Sequence, residues 1–432
     1  MSSANYIKAR DLFLAHHWKK YPAFDSEIFS GFVSGRVKVK DGGAITLATS
    51  QGDVVLNAVS WSTEFLREPK AAEAAPSVHE VLSVGDWVSI DRQGETVFFS
   101  PCLHHGTSPL PSTLLHESDR MIEDARAWAD FLARVRAFFV GHGFLEMTTP
   151  ILAPSPGTEP FLDPLSVSIT TDTVTVEKFL ITSPEFHLKK ALAAGVPRLF
   201  EVARCFRNKE GGEHHRVEFH MLEWYRSFAS LREIADDVEN LIHVFRPDVP
   251  LKRMTMAQVF QEFVGFQLTP EMSRGEISDK AQALGIRHTA DDDFDDIFHR
   301  IFLERIEPAL ATRGPILISG YPPSMGALAR IGADGFADRF EVYWNGLELC
   351  NAFHELNDPG ENRQRFEKDL AQKERSGRRA VPLDEELMRA FELGVPPAGG
   401  IALGLERLFM AIHNISDIAR VRPFLQESPR RV

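Results

Sequence analysis

The period of the apolar positions changes near residue 110. Before it, the runs FSGFVSGRVKVK (29–40), AITLAT (44–49), VVLNAVSW (54–61), VGDWVSI (84–90) and TVFFSPC (96–102) are short, with turn signals at Asp41-Gly42-Gly43 and Gly52-Asp53. That spacing predicts a small all-β unit, an OB-like barrel or a short sandwich, which share this signature. The Ala-rich stretch REPKAAEAAPS (67–77) reads as an insertion in it, and the Pro/Ser-rich GTSPLPST (106–113) as a linker. The expected domains are therefore 1–108 and 109–432.

Beyond the linker, Trp128, Phe131, Leu132, Val135, Phe138 and Phe139 follow the spacing of a helix packed on one side, ended by Gly141 and Gly143. FLEMTTPIL (144–152) is β-patterned, but Pro150 cannot donate to a ladder, which predicts an edge or interface strand. Ser230 with Glu233 three residues on is a capping box opening a second helix, whose apolar stripe is Leu231, Ile234, Val238, Leu241 and Ile242. LFEVARCFR and EFHMLEWYR flank the polar loop NKEGGEHHRV and predict a long hairpin. Asn345-Gly346 marks another hairpin, and GGIALGLERLF runs a Gly-rich strand into a helix.

Composition narrows the class without naming a function. Of 432 residues, 44% are hydrophobic and 25% charged, which is ordinary for a globular protein and excludes wholesale disorder. No apolar run is long enough for a membrane span, and the first twenty residues lack a signal-peptide pattern. Cys102, Cys205 and Cys350 are too scattered for a disulfide framework or a metal knuckle; Cys205 and Cys350 read as small buried apolar groups, and a cytoplasmic setting is expected. The 48 basic and 61 acidic residues give a net charge of −13. That balance disfavours a broad nucleic-acid-coating surface but leaves room for a local basic site.

The candidate chemistry lies on the two hairpins and the Gly-rich junction. Alternation puts Glu201 and Arg207 on one strand face, and Glu223 with Tyr225 on one face of the partner strand. Charges crowded on a sheet are costly unless paired or bound to something charged, so this surface suits a zwitterionic or polyanionic ligand, or else carries cross-strand ion pairs. The second hairpin carries Glu341, Glu348, Asn351 and Glu355 among aromatics. Strict alternation leaves Glu348 out of phase with Asn351, Phe353 and Glu355, which predicts a bulge near Cys350. Carboxylates dense on a strand suggest magnesium or a cationic substrate. Arg407, in the first turn after the glycines, would favour phosphate.

Taken in order, GHGFLEMTTPIL, CFRNKE through EFHMLEWYR, and GIALGLERL resemble the three signature motifs of class II aminoacyl-tRNA synthetases, specifically the lysyl branch, over roughly 115–425. Within that branch the wording of MLEWYR and NAFHELND, with Ala402 where lysyl-tRNA synthetases usually carry glycine, is similar to the elongation factor P β-lysine ligases. The resemblance implies an α+β fold, a class II antiparallel β-sheet flanked by helices, preceded here by the all-β unit. It implies activation of lysine or β-lysine with ATP and Mg2+ as an aminoacyl-adenylate, transfer to a lysine of elongation factor P, and a homodimer without a membrane role.

By the same resemblance Arg207 binds the α-phosphate and substrate carboxylate, and Arg407 the γ-phosphate. Asn208, His215, Arg216 and Phe219 complete the ATP site, and Glu341 with Glu348 hold the metal. Glu185 holds the substrate amino group; Glu223, Tyr225 and Glu355 surround the side-chain ammonium, with Asn351, Phe353 and Ala402 shaping the pocket. Three features depart from the pattern. Lys209 stands where the family has an acid that helps place adenine, so either the loop slips by one residue or adenine recognition changes. Glu213 and Arg216 replace the usual arginine and asparagine of the loop. The front unit is typical of tRNA-charging enzymes, yet it is near −2 in net charge over residues 1–105 and has Ala44-Ile45 at the place of the family's stacking aromatic, leaving Phe32, Trp61 and Trp87 as its other aromatics. Charging of tRNA(Lys), and a catalytically silent nucleotide- or partner-binding paralogue, stand as alternatives.

Overall fold

A computed structural model describes residues 118–421 and five strands before them, and the chain divides into two compact units, Met1–Arg126 and Ala127–Val432. The described strands of the first unit are β1 (Phe32–Asp41), β2 (Ala44–Thr49), β3 (Gly52–Asn57), β4 (Trp87–Asp91) and β5 (Val97–Ser100). They pair antiparallel in the order β3-β2-β1-β4-β5, and among the described residues no pairing joins β3 to β5 into a closed barrel. Val37, Ile45 and Leu47 are buried there, as alternation with one packed face requires. The expected boundary at 108/109, the linker, the Ala-rich insertion, Cys102 and Trp61 lie outside the described residues, as do the side chains of Phe32 and Trp87.

The second unit is built on an eight-stranded sheet. Its chain order is α1 (Ser118–Gly141), β6 (Leu145–Glu146), β7 (Leu152–Ala153), β8 (Ser166–Thr170), β9 (Thr175–Leu180), α2 (Glu185–Ala193), β10 (Arg198–Phe206), β11 (Glu218–Ser227), α3 (Leu231–Phe245), β12 (Lys252–Thr255), α4 (Met256–Val264), α5 (Arg274–Ala283), α6 (Phe294–Ile301), a π-helical turn at Phe302–Ile306, α7 (Glu307–Leu310), β13 (Ile316–Tyr321), β14 (Ala337–Trp344), β15 (Leu347–His354), α8 (Pro359–Arg375), α9 (Glu385–Gly394), β16 (Ala398–Gly404) and α10 (Leu405–His413). The sheet order is β12-β13-β14-β15-β16-β11-β10-β6. It is antiparallel from β13 to β10 and parallel at both edges. The motif with Pro150 contributes the two-residue edge strand β6 and the first residue of β7, with Pro150 between them outside either ladder. β7, β8 and β9 form a separate three-stranded sheet.

One face of the large sheet is sealed by α1, α3 and α10. The apolar stripe of α1 is buried there, with Phe139 stacked on Phe200 at 4.9 Å and Phe131 edge-on to Phe409 at 5.3 Å. Each such side chain stabilises by about 2 kcal/mol through burial, and aromatic pairing adds roughly 0.5–1.5 kcal/mol. The Ser230–Glu233 capping box forms as expected at the start of α3. Cys205 and Cys350 are buried, and burial pushes both thiols well up, as small packing groups require. Helices α4 to α6 and the π turn pack on the far end of the sheet, while α2, α8 and α9 flank the opposite face. That second face is left open over β11, β15 and β16, and the chemistry lies there.

Candidate active site

Register aligns polar side chains across the sheet in rows. Glu341 on β14 lies opposite Asn351 on β15, Asn351 opposite Ala402 on β16, Ala402 opposite Glu223 on β11, and Glu223 opposite Glu201 on β10. The next row runs Arg339, Phe353, Gly400, Tyr225, Leu199. Since strands sit about 4.8 Å apart, a row is a ladder of groups at near-contact spacing. The expected bulge is present: Val342 pairs with Cys350 and Tyr343 with Glu348, so Leu349 is the extra residue. It brings Glu348 to the cavity beside Asn351 and Phe353.

These rows floor a cavity of about 300 Å³, closed by α2, α8, the 158–162 turn and the 210–219 loop. At one end lie carboxylates around an internal cation. Lys189 Nζ, fully buried, is 2.6 Å from Glu185 and 2.7 Å from Glu355. Burial alone would lower the Lys189 pKa, but the two carboxylates outweigh it and hold the ammonium charged. Glu355 is pushed up to about 7 by burial, with Lys189 pulling it down and Glu185 pushing it further up. Glu223 is 1% exposed and accepts only neutral donors, Ser183 Oγ and Tyr225 OH, the latter at 3.1 Å. Burial, then the Glu185 charge, drive the pKa of its carboxyl well up. Gly400 makes this packing possible: a Cβ there would sit 2.1 Å from Glu355 Oε1 and 2.4 Å from Tyr225 Cε1.

At the other end are guanidinium groups. Arg407 Nη1 donates to the Glu348 carbonyl at 2.8 Å, and its Nη2 donates to His215 Nε2. Burial and then the Arg407 charge lower His215 to about 4, leaving a neutral imidazole able to accept that bond. Arg207 lies 5.1 Å over the Phe219 ring, and its buried Nε has no hydrogen-bond partner among the described residues. A buried guanidinium donor without an acceptor fits an anionic oxygen. Between the ends, Glu348 is pushed up to about 7 by burial and by Glu341, a like-charge pair that suits a divalent cation. Glu341 itself accepts from Tyr321 OH and Tyr343 OH, each at 2.6 Å, and from Arg339. Glu348 is thus the carboxylate facing the cavity, with Glu341 held behind it.

The family model for tRNA synthetases class II (D, K and N) matches residues 113–428, most of the chain. The chain belongs to this family. Among its curated relatives, the elongation factor P–(R)-β-lysine ligase of Pasteurella multocida is 35% identical over 308 residues, 70% of this chain and 95% of the relative. The ligases of the same name from Haemophilus ducreyi and Pectobacterium atrosepticum are 36% and 34% identical, covering 68% and 69% of this chain and 90% and 94% of their own.

In this class II chain, Glu185, Arg207, His215, Arg216, Phe219, Tyr225, Glu348, Asn351, Phe353, Glu355, Ala402 and Arg407 all line the one cavity. Glu223 and Glu341 stand just behind its wall, each reaching it through hydrogen-bond partners. Asn208 is not brought there. It lines a neighbouring polar cavity with Lys209, Arg378 and Arg379, its backbone N–H bonded to the Asp163 carbonyl at 2.8 Å. Lys209 pairs with Asp163 at 2.9 Å, while Glu210 lines the main cavity, 3.9 Å from Arg207. Of these two neighbours, Glu210 is the one that reaches the cavity.

Sequence reasoning missed several contributors. Lys189 was hidden as an ordinary helical neighbour of Glu185, although its i+4 spacing in TSPEFHLKK was a signal. Arg339, two residues before Glu341 and so on its face, donates through Nε to Asn351 Oδ1 at 2.9 Å and fixes that amide. Ser183, Glu159 and Asp369 carried no signal that was read, and Gly400 was read only as part of a Gly-rich strand.

Proposed function

We propose that this class II protein is an ATP-dependent ligase that activates lysine or β-lysine as the adenylate and transfers it to a lysine of elongation factor P in the cytoplasm. The observation that carries the proposal is the two-ended cavity: buried carboxylates at one end, two arginines and a neutral histidine at the other. An amino acid with two ammonium groups and one carboxylate, beside a triphosphate, matches that charge order. The relatives' names give the acceptor.

Glu223, with Ser183 and Tyr225, receives the side-chain ammonium, and Glu185 the other amino group. Arg207 holds the substrate carboxylate against the α-phosphate, so that a carboxylate oxygen attacks phosphorus in line with the leaving pyrophosphate. Arg207 and Arg407 neutralise the charge that builds on the phosphate oxygens, and His215 keeps Arg407 aimed. Glu348, backed by Glu341, would hold magnesium, which would supply charge neutralisation between phosphates. No side-chain nucleophile is needed.

Amino-acid-dependent pyrophosphate exchange with lysine and each β-lysine enantiomer tests activation. Transfer is then compared on elongation factor P and on tRNA(Lys). The five-stranded front unit, outside the family match, favours the tRNA reading. Charging of tRNA without modification of elongation factor P would decide for it, and absence of exchange with every amino acid would leave the silent paralogue. Val140, Leu145 and Ile151, exposed beside edge strand β6, support a homodimer, which light scattering checks.

A further inference from the structure

The proposed reaction involves three amines, two on the amino acid and one on the acceptor, and the cavity holds more acid than the amino acid uses. Glu159, in the segment after β7, and Asp369, on α8, both line it and make no ion pair among the described residues; the Glu159 carboxylate accepts from its own backbone N–H. Their charges interact: Glu159 is raised by burial and then by Glu185, and Asp369 is pushed up to about 6 by burial and then by Glu159. Glu159 also faces Arg207 and Lys373, and Asp369 faces Lys368, Arg365 and Lys373.

The scaffold holds this pair deliberately in place. Lys373, 1% exposed, does not pair with either acid; its Nζ donates to the carbonyls of Glu159 and Leu162 at 2.9 and 2.7 Å, pinning the turn. Gly157, at φ +122°, leaves room where a Cβ would lie 2.4 Å from Glu159 Oε2. Phe366 and Asp369, one turn apart on α8, both reach the cavity. Glu159 thus lies within electrostatic reach of Glu185, which marks the amino end of the substrate, and of Arg207, which marks its carboxyl end. The carbonyl carbon of the adenylate falls between those ends.

We propose that Glu159 and Asp369 form the reception site for the acceptor lysine, binding its ammonium and taking its proton in the transfer step. The inference rests on the ligase reading above. The acceptor ammonium gives one proton to the carboxylate pair; its nitrogen lone pair attacks the carbonyl carbon of the mixed anhydride; the C–N bond forms, the C–O bond to phosphate breaks, and AMP leaves with that electron pair. The nitrogen's second surplus proton passes to water.

The test separates the two half-reactions in the full chain with the isosteric variants Glu159→Gln and Asp369→Asn. Pyrophosphate exchange with lysine or β-lysine should stay within about threefold of wild type. Single-turnover transfer from preformed adenylate to elongation factor P should fall on the order of 10²-fold, the usual contribution of a positioned acid–base group. Trapping of the adenylate by hydroxylamine, an uncharged nucleophile at pH 7.5, should be unchanged, a readout that a merely structural defect would move. Loss of exchange with a raised KM for the amino acid would assign the pair to the amino-acid subsite and overturn the proposal, as would unchanged transfer. If wild type performs exchange but never modifies elongation factor P, the ligase reading fails on its own. The same comparison made with Nα-acetyl-lysine amide as acceptor then decides the pair's role.

Discussion

On the proposed function, Glu223→Gln isolates the charge that receives the substrate ammonium. The amide keeps the shape; its oxygen can accept from one of the Ser183 and Tyr225 hydroxyls and its NH2 can donate to the oxygen of the other, so the packing around β11 should survive. What is lost is the ability to ionise. Glu223 is 1% exposed, and its cationic neighbour Lys189 is already held by Glu185 and Glu355. An ammonium entering beside the amide therefore finds little compensation for its lost hydration. Leaving a buried charge without its partner costs ~3–5 kcal/mol. With Glu185 nearby offsetting part of that, the KM for lysine in pyrophosphate exchange should rise roughly 10²- to 10³-fold, while the KM for ATP moves less than about threefold. There is also a pH signature. Burial, then the Glu185 charge, raise the pKa of the free carboxyl, and an entering ammonium would lower it. Lysine binding should therefore be accompanied by proton release, read by calorimetry in buffers of different ionisation enthalpy, and affinity should rise with pH as the carboxyl titrates. The variant should lose both effects. Equal losses for lysine and ATP, or unchanged proton release, would refute the reasoning.

Other consequences follow from the same geometry. Lys189→Met removes the cation shared by Glu185 and Glu355 and should cost about 3–5 kcal/mol in thermal or denaturant unfolding, with Lys189→Met/Glu355→Gln recovering part of it; a double variant no more stable than the single one would contradict the triad. Glu348 has a folded pKa of about 7 against an ordinary 4.5, so stability falls as pH rises across that interval. Glu348→Gln should remove the slope, gaining up to about 3 kcal/mol over wild type above pH 7 and nothing below 4.5, and parallel unfolding curves from pH 4 to 8 would exclude the assignment. Ala402→Gly, at the position facing both Asn351 and Glu223, should shift the exchange ratio from β-lysine toward α-lysine, and an unchanged ratio would remove Ala402 as a selector.

The parts of the site that follow local rules were readable in the chain. The helical stripe from Trp128 to Phe139, the Ser230–Glu233 box, the Asn345-Gly346 turn and the phase break between Glu348 and Asn351 each depend on neighbours within a few residues, and each is where its spacing places it. The contacts that tune the site are long-range. Nothing local says that Lys189 meets Glu355, that Gly400 must be bare because Glu355 and Tyr225 cross it, or that Arg339 orients Asn351. That Glu210 and not Lys209 reaches the cavity was not readable locally, because Lys209 is drawn to Asp163, some 46 residues earlier.

The direction of the carboxylate pKa values ties these observations to substrate choice. Glu223, Glu348 and Asp369 are all pushed up, and in each case burial leads and a second acid follows: Glu185, Glu341 and Glu159 respectively. A fold maintaining three such pairs around one cavity holds repulsion that a bound proton or an incoming cation relieves. One pair lies toward the amino-acid end, one toward the phosphate end, and one between. A neutral amino acid of the same length would leave the first unrelieved, and a hydroxyl acceptor would leave the last. On the proposed function the arrangement would discriminate by the number of cations brought to it, favouring a diamino acid as donor and a lysine side chain as acceptor over the ribose hydroxyl of a tRNA.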